Sequence, residues 1–115
     1  MGRTRTAQRV IAHPGVEDVS VQQVLEALAD PARRTVVRTL AHAPCDLSCG
    51  SFDLPVGRST SSHHFSVLRA AGVLRQYYVG TTKMNALRTQ ELEGRFPGLL
   101  QAVVAAADAE ARQTP

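Results

Sequence analysis

Proline and glycine cut this chain into short pieces, and that punctuation limits the fold more than any other feature. Asp30-Pro31, Pro44, Pro55-Val56-Gly57, Gly72, Gly80 and Pro97 stand between runs of apolar residues. Proline lacks the N–H that a helix interior needs, and glycine supplies the left-handed conformation of helix ends and tight turns. Each run must therefore be a separate short element.

Ser20 and Gln23 form an S-x-x-Q capping pattern, with Val19 and Val24 placed as a hydrophobic staple around it. Val21, Val24, Leu25 and Leu28 recur at helical spacing, which predicts a first helix ending before Asp30. Asp30 then caps a second helix with Pro31 in its first turn. Ala32, Val36, Val37 and Leu40 give that helix its apolar face, and Pro44 limits it. The segment 46–54 reads as a short third helix with Leu47, Phe52 and Leu54 inward. Gly57 opens a fourth helix that runs to Ala71 and stops at Gly72. Arg75 to Val79 and Thr82 to Leu87 are rich in Tyr, Val and Thr, with Gly80-Thr81 between them, and read as a hairpin. Thr89 to Glu91 opens the last segment. Pro97 is placed in the first turn of a final helix striped by Leu99, Leu100, Val103, Val104 and Ala107. The result is a mainly α fold with a β-hairpin wing, in the order ααααββα of a winged helix-turn-helix. Residues 1–18 are expected to be a flexible basic arm, 19–112 the DNA-binding and dimerisation domain, and 113–115 a tail.

Composition narrows the function. The 115 residues are 43% hydrophobic and 20% charged, which suits one soluble domain. Trp is absent and aromatics are only 4%, so the core must be Leu, Val and Ala, and such a domain often borrows stability from a second subunit. The net charge of +3 is compatible with nucleic acid. Two cysteines are too few for a disulfide scaffold, and the N-terminus, with Arg3, Arg5 and Arg9, lacks a secretory apolar region. The longest apolar stretch is too short and polar to span a bilayer. A cytoplasmic protein with reduced thiols and no membrane partner is expected. Ser, His and Asp are present, but no nucleophile motif or glycine-rich phosphate loop organises them, so the chain is not read as an enzyme.

The fourth helix carries the functional signal. Wound at 3.6 residues per turn, Ser61, His64, Phe65, Leu68 and Gly72 fall on one face and Ser59, Ser62, His63 and Ser66 on the other. No carboxylate occurs from Gly57 to Gly72. Short hydroxyl side chains let a helix backbone approach a duplex, Arg can take guanine in a bidentate pair, and a carboxylate would repel phosphate. Arg58, Ser59, Thr60, Ser62, His63, Ser66 and Arg69 are the candidate double-stranded-DNA contacts. Arg75, Lys83 and Arg88 put positive charge on the hairpin, with Lys83 and the neighbours of Gly80 expected at phosphate or the minor groove.

These residues resemble a known family. Ala27-Leu28-Ala29-Asp30-Pro31-Ala32-Arg33 is similar to the A-L-A-D-P-T-R opening of ArsR/SmtB-type regulators. Ser59-Thr60-Ser61-Ser62-His63-His64-Phe65-Ser66-Val67-Leu68-Arg69-Ala70-Ala71-Gly72-Val73-Leu74 is similar to their recognition helix. The resemblance covers roughly 20–104. It implies a homodimeric regulator, typically a repressor on a near-palindromic operator, with first and last helices pairing through Val21, Leu25, Leu100, Val103, Val104 and Ala107. It also implies an effector, often a metal ion or else a small molecule. Within the family, His63-His64-Phe65, Lys83-Met84-Asn85 and Phe96-Pro97-Gly98-Leu99-Leu100 are similar to SrnR-type actinobacterial regulators, which are linked to nickel.

The metal positions depart from the family pattern. Cys45-Asp46-Leu47 matches only the end of the family's C-x-C-D motif, and Ala43 stands at the other cysteine position. A second family site uses Asp and His of the final helices, where this chain offers Asp108 and Glu110 but no His. Nickel or zinc would have to draw on His13, His42, Cys45, Cys49 and His63, with Cys45 and Cys49 at i and i+4 of the third helix. Alternatives are that Cys45 and Cys49 act as a thiol redox sensor on the same scaffold, or that the winged helix binds protein instead of DNA. His64 is expected to pack on the core side and bond backbone.

Overall fold

A computed structural model of the chain describes residues 8–113. The elements are β1 (Gln8–Val10), α1 (Val21–Leu28), α2 (Pro31–His42), β2 (Leu47–Ser48), α3 (Arg58–Ala70), β3 (Leu74–Val79), β4 (Thr82–Leu87), α4 (Thr89–Arg95) and α5 (Leu99–Gln113), with 3-10 turns at Val16–Asp18 and Cys49–Ser51. The four strands form one antiparallel sheet in the order β1-β3-β4-β2. Helices followed by an antiparallel hairpin make the winged helix-turn-helix that the sequence predicts.

Local chemistry explains the boundaries. The Ser20 side chain accepts the Gln23 amide at 3.1 Å, and the staple residues Val19 and Val24 are both buried. One oxygen of Asp30 accepts the amides of Ala32 and Arg33 at the start of α2. Burial pulls the Asp30 carboxyl pKa up. The backbone bonds from Arg33 and Ala32, with the nearby His64 and Arg33, outweigh it and hold the group below its ordinary value. The first turn of α2 also closes the end of α1. Arg33 donates to the carbonyls of Ala27 and Glu26, and Arg34 to that of Leu28. At the far end of α3, Gly72 takes φ +85 while its amide bonds the Arg69 carbonyl and the Val73 amide bonds that of Leu68. This is a Schellman stop. A side chain at Gly72 would also run into Val19, so glycine is required there twice over.

The core is aliphatic, as the composition requires. Val19, Val24, Leu28, Val36, Val37, Leu40, Leu68, Val73, Leu74, Leu92 and Leu100 fill it, and Phe65 is its one fully buried aromatic ring. Buried Gln76, Asn85, Arg88 and His64 all find hydrogen-bond or ion-pair partners, and among the described residues no buried side-chain polar atom is left without one.

Several expectations are corrected. Asp46–Leu54 is not an α-helix. Its Leu47–Ser48 pairs with Asn85 and Met84 of β4, and a 3-10 turn follows. Gly50, Ser48, Ser51 and Asp46 are weak helix formers, and the ladder to β4 decides the outcome. Pro97 does not start the final helix. It lies in a turn with Gly98 (φ +81) between two separate helices, α4 and α5. The arm expected over 1–18 divides: Gln8–Val10 pairs with β3, and residues 1–7, including Arg3 and Arg5, lie outside the described residues, as do 114–115 of the tail. Leu100 is 5% exposed and belongs to the chain's own core, not to an outward face. In α1, the buried stripe is Val24, Ala27 and Leu28, while Val21 and Leu25 are 45% and 46% exposed. Ser61, expected inward, is only half-buried.

α5 is clamped to α2 by one carboxylate. Arg38 donates to one oxygen of Asp108, and His42 Nε2 to the other at 2.7 Å. The Arg38 bond, then the His42 bond, hold Asp108 below its ordinary value of 3.8. A carboxyl with a depressed folded pKa contributes stability that is present above 3.8 and lost as pH falls through the folded value. Asp108→Asn should therefore flatten the acid limb of stability below about pH 4, leaving the part due to Asp30 and Glu91. Denaturant midpoints across that range, compared with wild type, check this.

Candidate nucleic-acid interface

α3 is held from behind by a junction of three elements. Arg33 of α2 reaches across so that its guanidinium donates to His64 Nδ1 at 3.2 Å. Arginine has no acceptor, so Nδ1 must accept and Nε2 carries the imidazole proton. That nitrogen faces the Asp30 carboxylate at 4.0 Å. His64 is buried as expected, but it bonds a side chain where a backbone partner was predicted. Phe65 meets Phe52 edge-on at 5.2 Å, and Leu68 is fully buried. With His64, Phe65 and Leu68 inward, helical geometry turns Ser59, Ser62, His63 and Ser66 outward. Arg58, Ser59, Thr60, Ser62 and His63 are exposed, and Ser66 is half-buried.

The sheet packs against α3 through an amide relay. Gln76 accepts a hydrogen bond from Arg69 and donates to Asn85 Oδ1 at 2.8 Å. Asn85 in turn donates to the Leu47 carbonyl at 3.2 Å and to Cys49 Sγ at 3.2 Å. Arg69 is thus partly committed to the sheet. On a strand alternate residues share a face, and Gln76 fixes which face of β3 looks at α3: the one bearing Leu74, Gln76 and Tyr78.

This parity separates the three wing cations named from the sequence. Lys83 pairs directly with Tyr78 and so lies on the α3 side, with its Nζ 5.8 Å from the Tyr78 ring centroid. Arg75 lies on the opposite face, over the Tyr77 ring at 4.8 Å. There the Tyr77 hydroxyl donates to Asp46, and burial, then that bond, push its pKa up to about 12. Arg88 is not a surface wing charge. It is 5% exposed, grips both oxygens of Glu91 at 2.8 and 3.0 Å, and donates to the Pro14 carbonyl. The α3 side gains Arg9 instead, whose guanidinium lies 4.9 Å from the Tyr78 centroid. From Leu54 to Gln90 the chain holds no Asp or Glu, so neither α3 nor the β3–β4 hairpin contributes a carboxylate.

The candidate metal ligands stay apart within the chain. His13 Nδ1 bonds the Ile11 carbonyl, His42 pairs with Asp108, and His63 is exposed on α3. Cys45 is exposed, Cys49 is half-buried against the amide relay, and the helix face they were expected to share does not form. Among the described residues no three His, Cys, Asp or Glu side chains gather as a metal site. Among the described residues no helix is long and apolar enough to cross a membrane.

No protein-family model matches the sequence. Individual proteins do. The chain is 33% identical over 81 residues to the uncharacterized HTH-type transcriptional regulator YceK of Bacillus subtilis, covering 69% of this chain and 81% of that protein. The chain belongs to the HTH-type transcriptional regulators. It is also 40% identical over 78 residues to the HTH-type transcriptional regulator Rv2034 of Mycobacterium tuberculosis, covering 61% of this chain and 73% of that one. In this HTH-type regulator, α3 is the helix that directly precedes the β3–β4 hairpin.

Sequence reasoning missed Gln76, Asn85, Tyr78 and Arg9. The spacing Leu74, Gln76, Tyr78 is a signal for the first and third, since a period of two places them on one sheet face. Gln76→Leu would leave Asn85 Oδ1 and the Arg69 guanidinium without the side chain that joins them. It should lower unfolding stability by about 1–3 kcal/mol, seen as a fall in denaturant midpoint at unchanged slope.

Proposed function

We propose that this regulator is an ArsR/SmtB-type repressor that binds a near-palindromic operator as a homodimer, with α3 of each protomer in a major groove. The observation that carries the reading is the outward face of α3. Ser59, Ser62, His63 and Ser66 are short or neutral, Arg58 and Arg69 flank them, and no carboxylate interrupts the surface from Leu54 to Gln90. Hydroxyls and arginines can bond phosphates and base edges, and the smooth face allows the helix backbone to come close. The names of the two relatives support transcriptional regulation.

The dimer reading rests on α1 and α5. Val21 and Leu25 project from α1, and an open groove lined by Leu25, Leu28, Val103, Ala106 and Ala107, together with Arg34 and Glu110, runs between α1 and α5. Alanines there let a second helix pair approach closely. Pairing through this face leaves both α3 helices free, as a two-fold operator requires.

The test is a titration of the purified protein with a duplex from its own promoter, against an unrelated duplex, over a range of salt. Wild type should bind the promoter duplex more tightly, with affinity falling steeply as salt rises. Ser62→Glu, on an exposed position of α3, should weaken binding at least about tenfold, the scale of one lost charge-assisted contact, while the melting temperature stays near wild type. Binding to neither duplex, or equal binding by Ser62→Glu, would remove α3 from the interface.

A further inference from the structure

β1 makes the wing three-stranded on its outer side, and it brings a cation with it. Arg9 pairs with Tyr78 across β1 and β3, and Tyr78 pairs with Lys83 across β3 and β4. Residues directly opposite on neighbouring strands share a face, so these three side chains stand abreast. Their face is the one that looks toward α3, because Gln76, two residues back along β3, bonds Arg69 of that helix. Two residues of strand span only about 7 Å, so the trio continues the α3 surface toward the hairpin tip. β1 is fixed in this place by its ladder and by the Ile11 amide, which donates to the Gln76 carbonyl at 2.9 Å.

The arrangement has an unbalanced charge. Arg9 and Lys83 both lean on one tyrosine ring, at 4.9 and 5.8 Å from its centroid. An exposed cation–π contact is worth only about 0.5–1 kcal/mol, and two like charges beside one ring repel. Among the described residues neither cation makes a salt bridge, and the wing strands themselves hold no carboxylate. Arg9 is exposed. Two cations held apart by a ring, Arg9 exposed and Lys83 half-buried, with no acid in the wing to balance them, match a row of phosphates.

We propose that β1 is a third wing strand that carries Arg9, together with Lys83, onto the phosphate backbone of duplex DNA beside the groove entered by α3. The proposal rests on the DNA-binding reading above and extends it to a segment outside the helix-turn-helix. Tyr78 acts as a positioning residue that spaces the two cations, and Arg9 contributes charge without reading bases.

The experiment measures binding of full-length protein to the promoter duplex and to an unrelated duplex across a salt series, for wild type, Arg9→Ala, Arg9→Lys and Lys83→Ala. A phosphate contact predicts that Arg9→Ala weakens binding to both duplexes by a similar factor. It also predicts that the slope of log affinity against log salt shrinks by about 1. Lys83→Ala should do the same, Arg9→Lys should keep the wild-type slope, and denaturant midpoints should show each variant folded. An unchanged slope and affinity for Arg9→Ala would overturn the proposal while leaving the α3 reading intact. A loss confined to the promoter duplex at unchanged slope would also overturn it, since that would make Arg9 a base reader. Failure of wild type to bind either duplex would overturn both readings together.

Discussion

The contact on which the rest of the molecule depends is the meeting of Asp30, Arg33 and His64. Asp30 starts α2, Arg33 satisfies the last carbonyls of α1, and the same Arg33 holds the imidazole of α3. Three helices are fixed at one point by groups that each have a single way to bond: an ionised cap, an obligate donor and one imidazole tautomer. With His64 locked inward, the phase of α3 is set, and its hydroxyl face must look away from the core. A shift of one residue would rotate the helix by about 100° and bring Phe65 or Leu68 toward solvent, so core and interface are specified together.

A second consequence follows at the sheet. Gln76 and Asn85 are fully buried amides in a core of otherwise aliphatic side chains. They join α3, β3, β4 and the Cys49 turn through Arg69 and Cys49 Sγ. Such a satisfied polar pair costs little and fixes register, because a slip by one residue would turn one amide to the opposite face and break the pair. Register in turn determines which cations face α3. Lys83 does, Arg75 does not, and Arg88 is removed into an ion pair with Glu91.

Much of this was legible in the sequence. The caps at Ser20 and Asp30, the stop at Gly72 and the hairpin at Gly80 are local chemistry, and local chemistry is what a single sequence displays. The inward and outward faces of α3 followed from helical spacing, with Ser61 the exception at half-burial. Three features were not legible, for one shared reason. The Leu47–Ser48 strand, the β1 pairing and the buried fate of Leu100 each depend on a partner distant in the chain. Asp46–Leu54 looked helical because its apolar residues have a suitable spacing, yet pairing with Asn85 and Met84 took precedence. Arg88 looked like wing charge because Glu91, three residues on, was not assigned to it. The candidate ligands His13, His42, Cys45, Cys49 and His63 were legible as residue types but not as a site, since convergence is a property of the fold.

The central claim is that α3 and the α3-facing side of the wing form one DNA surface. Hydroxyl-radical oxidation of side chains, compared for the free protein and for its complex with the promoter duplex, tests it most directly. The account predicts that His63 and Tyr78 are both shielded by DNA while Phe96, at the end of α4, keeps its free reactivity. Shielding of Phe96 with His63 and Tyr78 as reactive as before would contradict it.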